Sequence, residues 1–579
     1  MRKIISLVLT LSLVAGLSLS LTACGEPKDD GPEIKVYLGE EVYDFDPTDY
    51  YVSDNAAKVM SLLYDPLFTL NERGKLKKDG AAKKYKVDED ERTIVIELRE
   101  SYWSNGDRVK AEDFIYAWRD ILINPNTANP AAALLYDIEN AVEVKNGESI
   151  YKFGAVASGV YEITITYREG ADYKQLLKNL ASVATAPILR SATNGADGYW
   201  SKNVATAITN GPFMISNMDY DNNSFTVVRN EGYHQSLDVK NYTKIVNPGK
   251  LVSFTTLGEG EEMLTYSDIE NKTVFFMGDA SLEDRAANKK KAEVADSLST
   301  YTYVFNLENP LFAIEEVRQA LSMVIDRNSI IEAITFGKAA TGLLPDTVLN
   351  SKGKTFSDDI ISTSAKEDEA RALISSASSK LAGLDKKITL TVNNDIESVA
   401  IANIVKTAWE KLGFTVEINA VGKVVTTDVP EKDSKFYDSE IQLLVKEASR
   451  GECSFDVIAV DWQMFSTDPF VALAAFANHY SGCGVELPEG VIYYGSFGGY
   501  SSAEYDALIE SAYKASGKDR EGYLKDAERM LVESAAIVPL VFNQNFAFVS
   551  RDLSKLDFDG FGNFVFTDVK QKNYRKYLD

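Results

Sequence analysis

Histidine is almost missing from this chain. Among 579 residues only His234 and His479 occur, far apart and without partner spacing. No CxxC, HExxH, GxSxG or Walker pattern is present either. Triad and zinc chemistry lose their donors together, so no catalytic constellation, metal site or cofactor is expected. Lone histidines of this kind are ordinarily surface or core residues. Cysteine is nearly as scarce, with Cys24, Cys453 and Cys483. The last two can pair outside the cytoplasm if their separation in space allows it. Positive charge is also short: 61 Lys and Arg face 86 Asp and Glu, a formal net charge of −25. A polyanion needs a basic footprint, so nucleic acid is excluded as a partner. Beyond Leu21 no apolar run is long enough to span a bilayer.

The chain opens with a secretory signal over residues 1–23. Arg2 and Lys3 form its charged region, and Ile4 to Leu21 is apolar and uncharged. It ends at Leu21-Thr22-Ala23-Cys24, which resembles the lipobox of bacterial lipoproteins. That resemblance implies cleavage before Cys24 and acylation of its thiol, palmitate included. Residues 24–32, with Glu26–Pro32 polar and Gly/Pro-bearing, read as a tether. The mature protein is then expected on the extracytoplasmic face of the cell membrane, at the cell surface or in the periplasm. It is anchored by lipid rather than embedded.

At 45% hydrophobic residues the chain can bury a large core, and its length suggests several domains. Glu33–Leu38, Thr93–Leu98, Lys387–Val392 and Phe414–Ile418 read as strands. Helical spacing predicts helices over 55–67, with Asp54 as cap, and over 111–123, 398–412 and 521–533. Strand 387–392, helix 398–412 and strand 414–418 make a βαβ unit of parallel strands. Ile537–Val549 is apolar but contains Pro539, which predicts an edge strand or a strand start.

Phe455–Pro469, FDVIAVDWQMFSTDP, is a short apolar strand that breaks at Asp461 into aromatic, amide and carboxylate groups. A turn at Ser466–Pro469 closes it. In open α/β sheets, ligands gather at the carboxyl ends of such strands.

The run from Trp103 to Arg119, WSNGDRVKAEDFIYAWR, resembles the signature of the family-5 extracellular solute-binding proteins. Leu63–Leu67, Thr209–Phe213, Tyr301–Asn306, Val317–Arg327, Tyr500–Ile509 and Ala536–Leu540 are similar to the same family, in the same order. The resemblance implies an α/β, two-lobed periplasmic-binding-protein-like (type II) fold with an extra subdomain on lobe I. Lobe I would comprise 33–73, 195–305 and 535–579, the extra subdomain 74–194, and lobe II 306–534. Hinges would fall near Tyr303–Asn306 and Glu533–Ile537. The implied function is capture of oligopeptides in the interlobe cleft by a monomer. Delivery is to the permease subunits of an ABC transporter, with no enzymatic step.

The same resemblance locates the site. In that family the Phe455–Pro469 segment lies against the ligand backbone. Many members read Trp, two residues, then an Asp that holds the ligand ammonium. Here Trp462 is present, the position three on is Phe465, and the later acidic-Pro pair is Asp468-Pro469. Asp461, Asp468 and Asp54 are the candidate replacements for the ammonium anchor. Tyr301, Tyr303 and Asn210 complete the expected ligand-binding set, with Cys24 the lipidation site. Trp103 and its SNGD turn are structural. Three alternatives stay open: the same fold holding a nickel chelate, an oligosaccharide or a signalling peptide; a secreted hydrolase; and a sensor or adhesin using the same lobes.

Overall fold

The computed structural model describes residues 31–39, 42, 44–49, 54–193, 200–219, 224–237, 248–254, 263–350, 352–425, 436–449, 451–482 and 498–577. The leader, Cys24 and Cys483 lie outside the described residues. Cys453 is half-buried, its Sγ 3.9 Å from the Phe455 carbonyl.

Strand β1 (Glu33–Tyr37) leads to helix α1 (Asp54–Leu63). Helix α1 buries Val59, Met60 and Leu63 and stops four residues short of its expected end. Pro66 disfavours helical geometry at Asp65, and the Leu63 carbonyl is taken by the Gly211 N–H at 2.8 Å. Strands β2 (Ala82–Asp88) and β3 (Thr93–Leu98) then begin a separate four-stranded sheet. Helix α2 (Ala111–Ile115) passes into a π-helical turn over Tyr116–Leu122, where the spacing predicts one continuous α-helix. The Trp118 indole donates to the Thr185 carbonyl at 2.8 Å, and that of Trp103 to Asp113 at 3.1 Å. Both rings are buried, so the most recognisable run of the sequence is scaffold. Strands β4 (Ala155–Gly159) and β5 (Glu162–Thr166) complete this sheet in the order β2-β3-β5-β4.

Strands β6 (Phe213–Asp219), β7 (Ser224–Arg229), β8 (Lys250–Phe254) and β9 (Phe276–Met277) return to the sheet of β1. Helix α3 (Leu282–Asn288) precedes the long strand β10 (Ala292–Phe305). The βαβ unit forms as read: β11 (Lys387–Asn393), α4 (Ile396–Glu410) and β12 (Thr415–Val421), with β11 and β12 parallel. Asp395 caps α4, and Trp409 on its inner face packs 6.1 Å from Tyr303 and 6.0 Å from Phe305. Helix α5 (Glu440–Ser449), strand β13 (Val457–Gln463), helix α6 (Pro469–Ala474), helix α7 (Gly517–Glu533) and strand β14 (Ile537–Val549) follow.

The large sheet runs β12-β11-β13-β10-β14-β9-β1-β8-β7-β6, with Lys338–Ala339 also on β14. Among the described residues, β10 and β14 connect its two ends. They pair antiparallel over Ala292–Asp296 with Phe548–Gln544, then over Thr300–Val304 with Phe542–Ile537. Pairing slips between Asp296 and Thr300, where the chain passes from one end to the other. Pro539 corrects the edge-strand expectation, because β14 is internal. A second register shift, between Tyr301 and Thr302, sits where Pro539 faces Thr302. A bulge is one of the few places where a sheet tolerates a residue without an N–H. The free Pro539 carbonyl accepts from Arg327 Nε at 2.7 Å.

Candidate ligand cleft

Strand β13 does not break at Asp461; it continues to Gln463, paired with β10 from Val457↔Phe305 to Gln463↔Ser299. Strand β11 pairs with it only at Val457 and Ile458. Because side chains alternate, the expected site residues divide between two faces. Trp462 points with Ile458 and Val460 into the larger apolar core, 4% exposed, its ring 5.1 Å from Phe476. Asp461 lies on the other face, opposite Tyr301, and accepts from Asn543 Nδ2 at 2.6 Å. Tyr301 and Tyr303 are buried with ring centroids 5.9 Å apart. Burial holds both phenols well above their ordinary range.

Past Gln463 the Met464 N–H donates to the Leu298 carbonyl, and Phe465 takes a left-handed φ of 40°. That geometry costs an L-residue roughly 1–2 kcal/mol. Ser466 Oγ donates to Asn179 at 2.6 Å. Asp468 caps α6 through the Phe470 N–H, and Arg520 Nη2 reaches both its oxygens at 2.9 Å. Its counter-ion is therefore already built in. Asn210 is likewise occupied: its amide accepts from the Asp65 N–H at 3.0 Å and donates to the Asp65 carbonyl at 2.9 Å. Asp54 opens α1.

A cavity of about 750 Å³ lies where these segments meet. Its walls come from α1, the turn that follows it, Ala181–Val183, Ser297–Leu298 of β10, Gln463 with Phe465, and the loop 555–568. Of the expected residues whose side chains are described, Phe465 lines it; Trp462, Asp461, Asp468, Tyr301, Tyr303 and Asn210 do not. Sequence reasoning missed the rest. The aromatic run FDGFGNFVF (558–566) was the available signal for the C-terminal wall. There Asp559 accepts from the Phe561 and Asn563 N–H groups at 2.8 and 2.9 Å, and burial pushes its carboxyl up to about 6. On the α1 side His234 is no isolated side chain. Its Nδ1 is 3.0 Å from Asp65, and its Nε2 is 2.9 Å from the Asp79 carbonyl.

Ion pairs cross the seam between the two ends of the sheet. Lys446 of α5 meets Asp49, and Arg285 of α3 meets both Glu397 of α4 and Asp279, the last at 2.6 Å.

Residues 77–482 match the family model "Bacterial extracellular solute-binding proteins, family 5 Middle". The chain belongs to that family. Among characterised members it is similar to the dipeptide-binding protein of Lactococcus lactis subsp. cremoris, 24% identical over 96% of this chain and 97% of that one. It is also similar to the dipeptide-binding protein DppE of Bacillus subtilis, 25% identical over 92% and 93%. Among solved structures, Listeria monocytogenes OppA bound to peptide matches with a TM-score of 0.77 at 19% identity, over 93% of this chain and 99% of that one. The architecture of this family-5 protein is the two-lobed type II fold, crossed by β10 and β14.

Proposed function

We propose that this family-5 protein captures oligopeptides between its lobes and hands them to an ABC importer. A diacyl lipid on Cys24 holds it at the extracytoplasmic face of the membrane. The observation that carries the reading is the cavity, because both lobes, the extra subdomain and the crossing strand β10 contribute to its wall. The relatives' names support peptides as the solute class. Lobe I comprises 33–73, 195–305 and 535–579, the extra subdomain 74–194 and lobe II 306–534. Hinge motion is absorbed near Tyr303–Asn306 and Glu533–Ile537, next to the register shifts between β10 and β14. Phe465 and Gln463 form the lobe II wall, while Trp462, Asp468 and Asn210 hold the surrounding backbone in place. The Lys446–Asp49 and Arg285–Glu397 pairs join the lobes in the closed form. Mass spectrometry of solute released from the purified, denatured protein tests this. Peptides of a few residues are expected. A sugar or a metal chelate instead, with no peptide binding by calorimetry, overturns it.

A further inference from the structure

We infer that the cleft selects peptides carrying a cationic side chain, a lysine or an arginine; this rests on the peptide reading above. Six carboxylates line the cavity and only two lysines, Lys77 and Lys555. Lys77 is already 3.7 Å from Asp79, one of the six. The inner carboxylates differ in company. Asp65 has His234 against it, whereas Asp559 is held by neutral donors, the Phe561 and Asn563 N–H groups and the Asn563 amide. An ionised carboxylate so placed gains most from a cation brought by the ligand. Phe558, Phe561 and Phe564 line the same wall, and aromatic faces attract a lysine or guanidinium head while covering its stem.

A second observation points independently to a ligand. Ser182, on the wall contributed by the extra subdomain, is 1% exposed, and its hydroxyl has no partner among the described residues. Buried hydroxyls are ordinarily bonded, so this one is completed by a polar group entering the cavity. The low-dielectric walls also focus the negative field of the cleft toward an incoming cation.

Calorimetry with alanine tripeptides to pentapeptides whose one central residue is lysine, norleucine or glutamate tests the selection. Lysine peptides are expected to bind about tenfold more tightly than norleucine ones of the same shape, and glutamate peptides most weakly. The lysine advantage should shrink in 0.5 M salt. Asp559→Asn keeps an acceptor for the loop N–H groups and should bring the lysine and norleucine affinities together. Ser182→Ala should weaken all three series by a few-fold. Equal affinity for lysine and norleucine peptides in the native protein overturns the selection and leaves peptide capture standing. An unchanged lysine advantage in Asp559→Asn overturns the assignment to that carboxylate. Absence of binding for every peptide overturns both readings.

Discussion

Carboxylates behave differently on the two sides of the turn that follows β13. Behind it, Asp468 is met by Arg520, and Asp137 by Arg168 at 2.7 Å. Toward the cavity, Asp559 is solvated by backbone and amide donors alone, and Asp557 is exposed at the rim. The first pair of acids is finished by the fold itself. The second pair is left for something the chain does not supply. Residue type therefore says little about role in this protein; the cation that does or does not stand opposite says much. The same contrast runs through β13, where Trp462 is enclosed by core while Phe465, three residues on, is cavity wall.

The largest effect should come from breaking the finished side. Asp468→Ala takes the bidentate partner from the half-buried Arg520, which keeps the more distant Asp137, and removes the cap of α6. Loss of a charge-assisted pair with one partner partly exposed costs about 2–3 kcal/mol, and loss of the cap about 1 kcal/mol more. Urea unfolding measures it. Asp557→Ala at the rim should change stability by less than ~0.5 kcal/mol. Equal losses in the two variants would dissolve the distinction between the two sides.

Glu528 sharpens the comparison as an intermediate case. It is 1% exposed, and it accepts from the Leu343 and Leu344 N–H groups at 3.0 and 2.9 Å and from Ser357 Oγ at 2.9 Å. No cation faces it among the described residues, and burial pushes its carboxyl up to about 7. The folded state therefore favours the protonated form. Its contribution to stability is complete below about pH 4.5 and declines as pH rises through 7, by about 3 kcal/mol in all. Glu528→Gln retains an acceptor and should flatten that limb. Unfolding free energies at pH 5 and pH 8 should lie closer together in the variant than in the native protein. An unchanged difference would mean that Glu528 has a cationic partner after all, as Asp468 does.

The periodic parts of the chain are legible in its sequence. β1, β3, β11 and α4 fall within two residues of the expected spans, because each carries its own alternation or helical stripe. Of the expected site, the strand's end at Phe465 is wall of the candidate cavity, while the other described residues of that set are not. The chemistry around it is not legible. The partner of Asp468 sits 52 residues away in Arg520, and that of Asp65 far along the chain in His234. No local pattern announces a contact of that range. Trp462 and Asp461 are neighbours in sequence, yet the strand extends through both and turns them to opposite faces. Proline sets both the end of α1 and the bulge at Pro539, but which strand neighbours Pro539 depends on the whole sheet order.

A seam between lobes offers a smaller test. Glu397→Gln weakens the link of α4 to Arg285, which keeps Asp279. A loss of about 1–2 kcal/mol in unfolding free energy is expected, because one charge-assisted bond becomes neutral while the arginine remains paired. If the pair forms on lobe closure, as proposed above, peptide affinity should fall by a comparable factor. Affinity unchanged by the substitution would remove this pair from the closing contacts.

The smallest effect is expected at Asp461, the finished carboxylate closest in sequence to the cavity wall. Asn543 donates to it, and an asparagine can accept the same bond, so Asp461→Asn should cost at most about 1 kcal/mol. Because Asp461 faces Tyr301 rather than the cavity, affinity for a free-amine peptide and for its N-acetylated form should change equally, by less than about twofold. Calorimetry of the pair of peptides decides it. A selective loss of the free-amine peptide would move Asp461 to the unfinished side, as the carboxylate that meets a ligand ammonium. The division of acids by their partners would then fail on β13 itself.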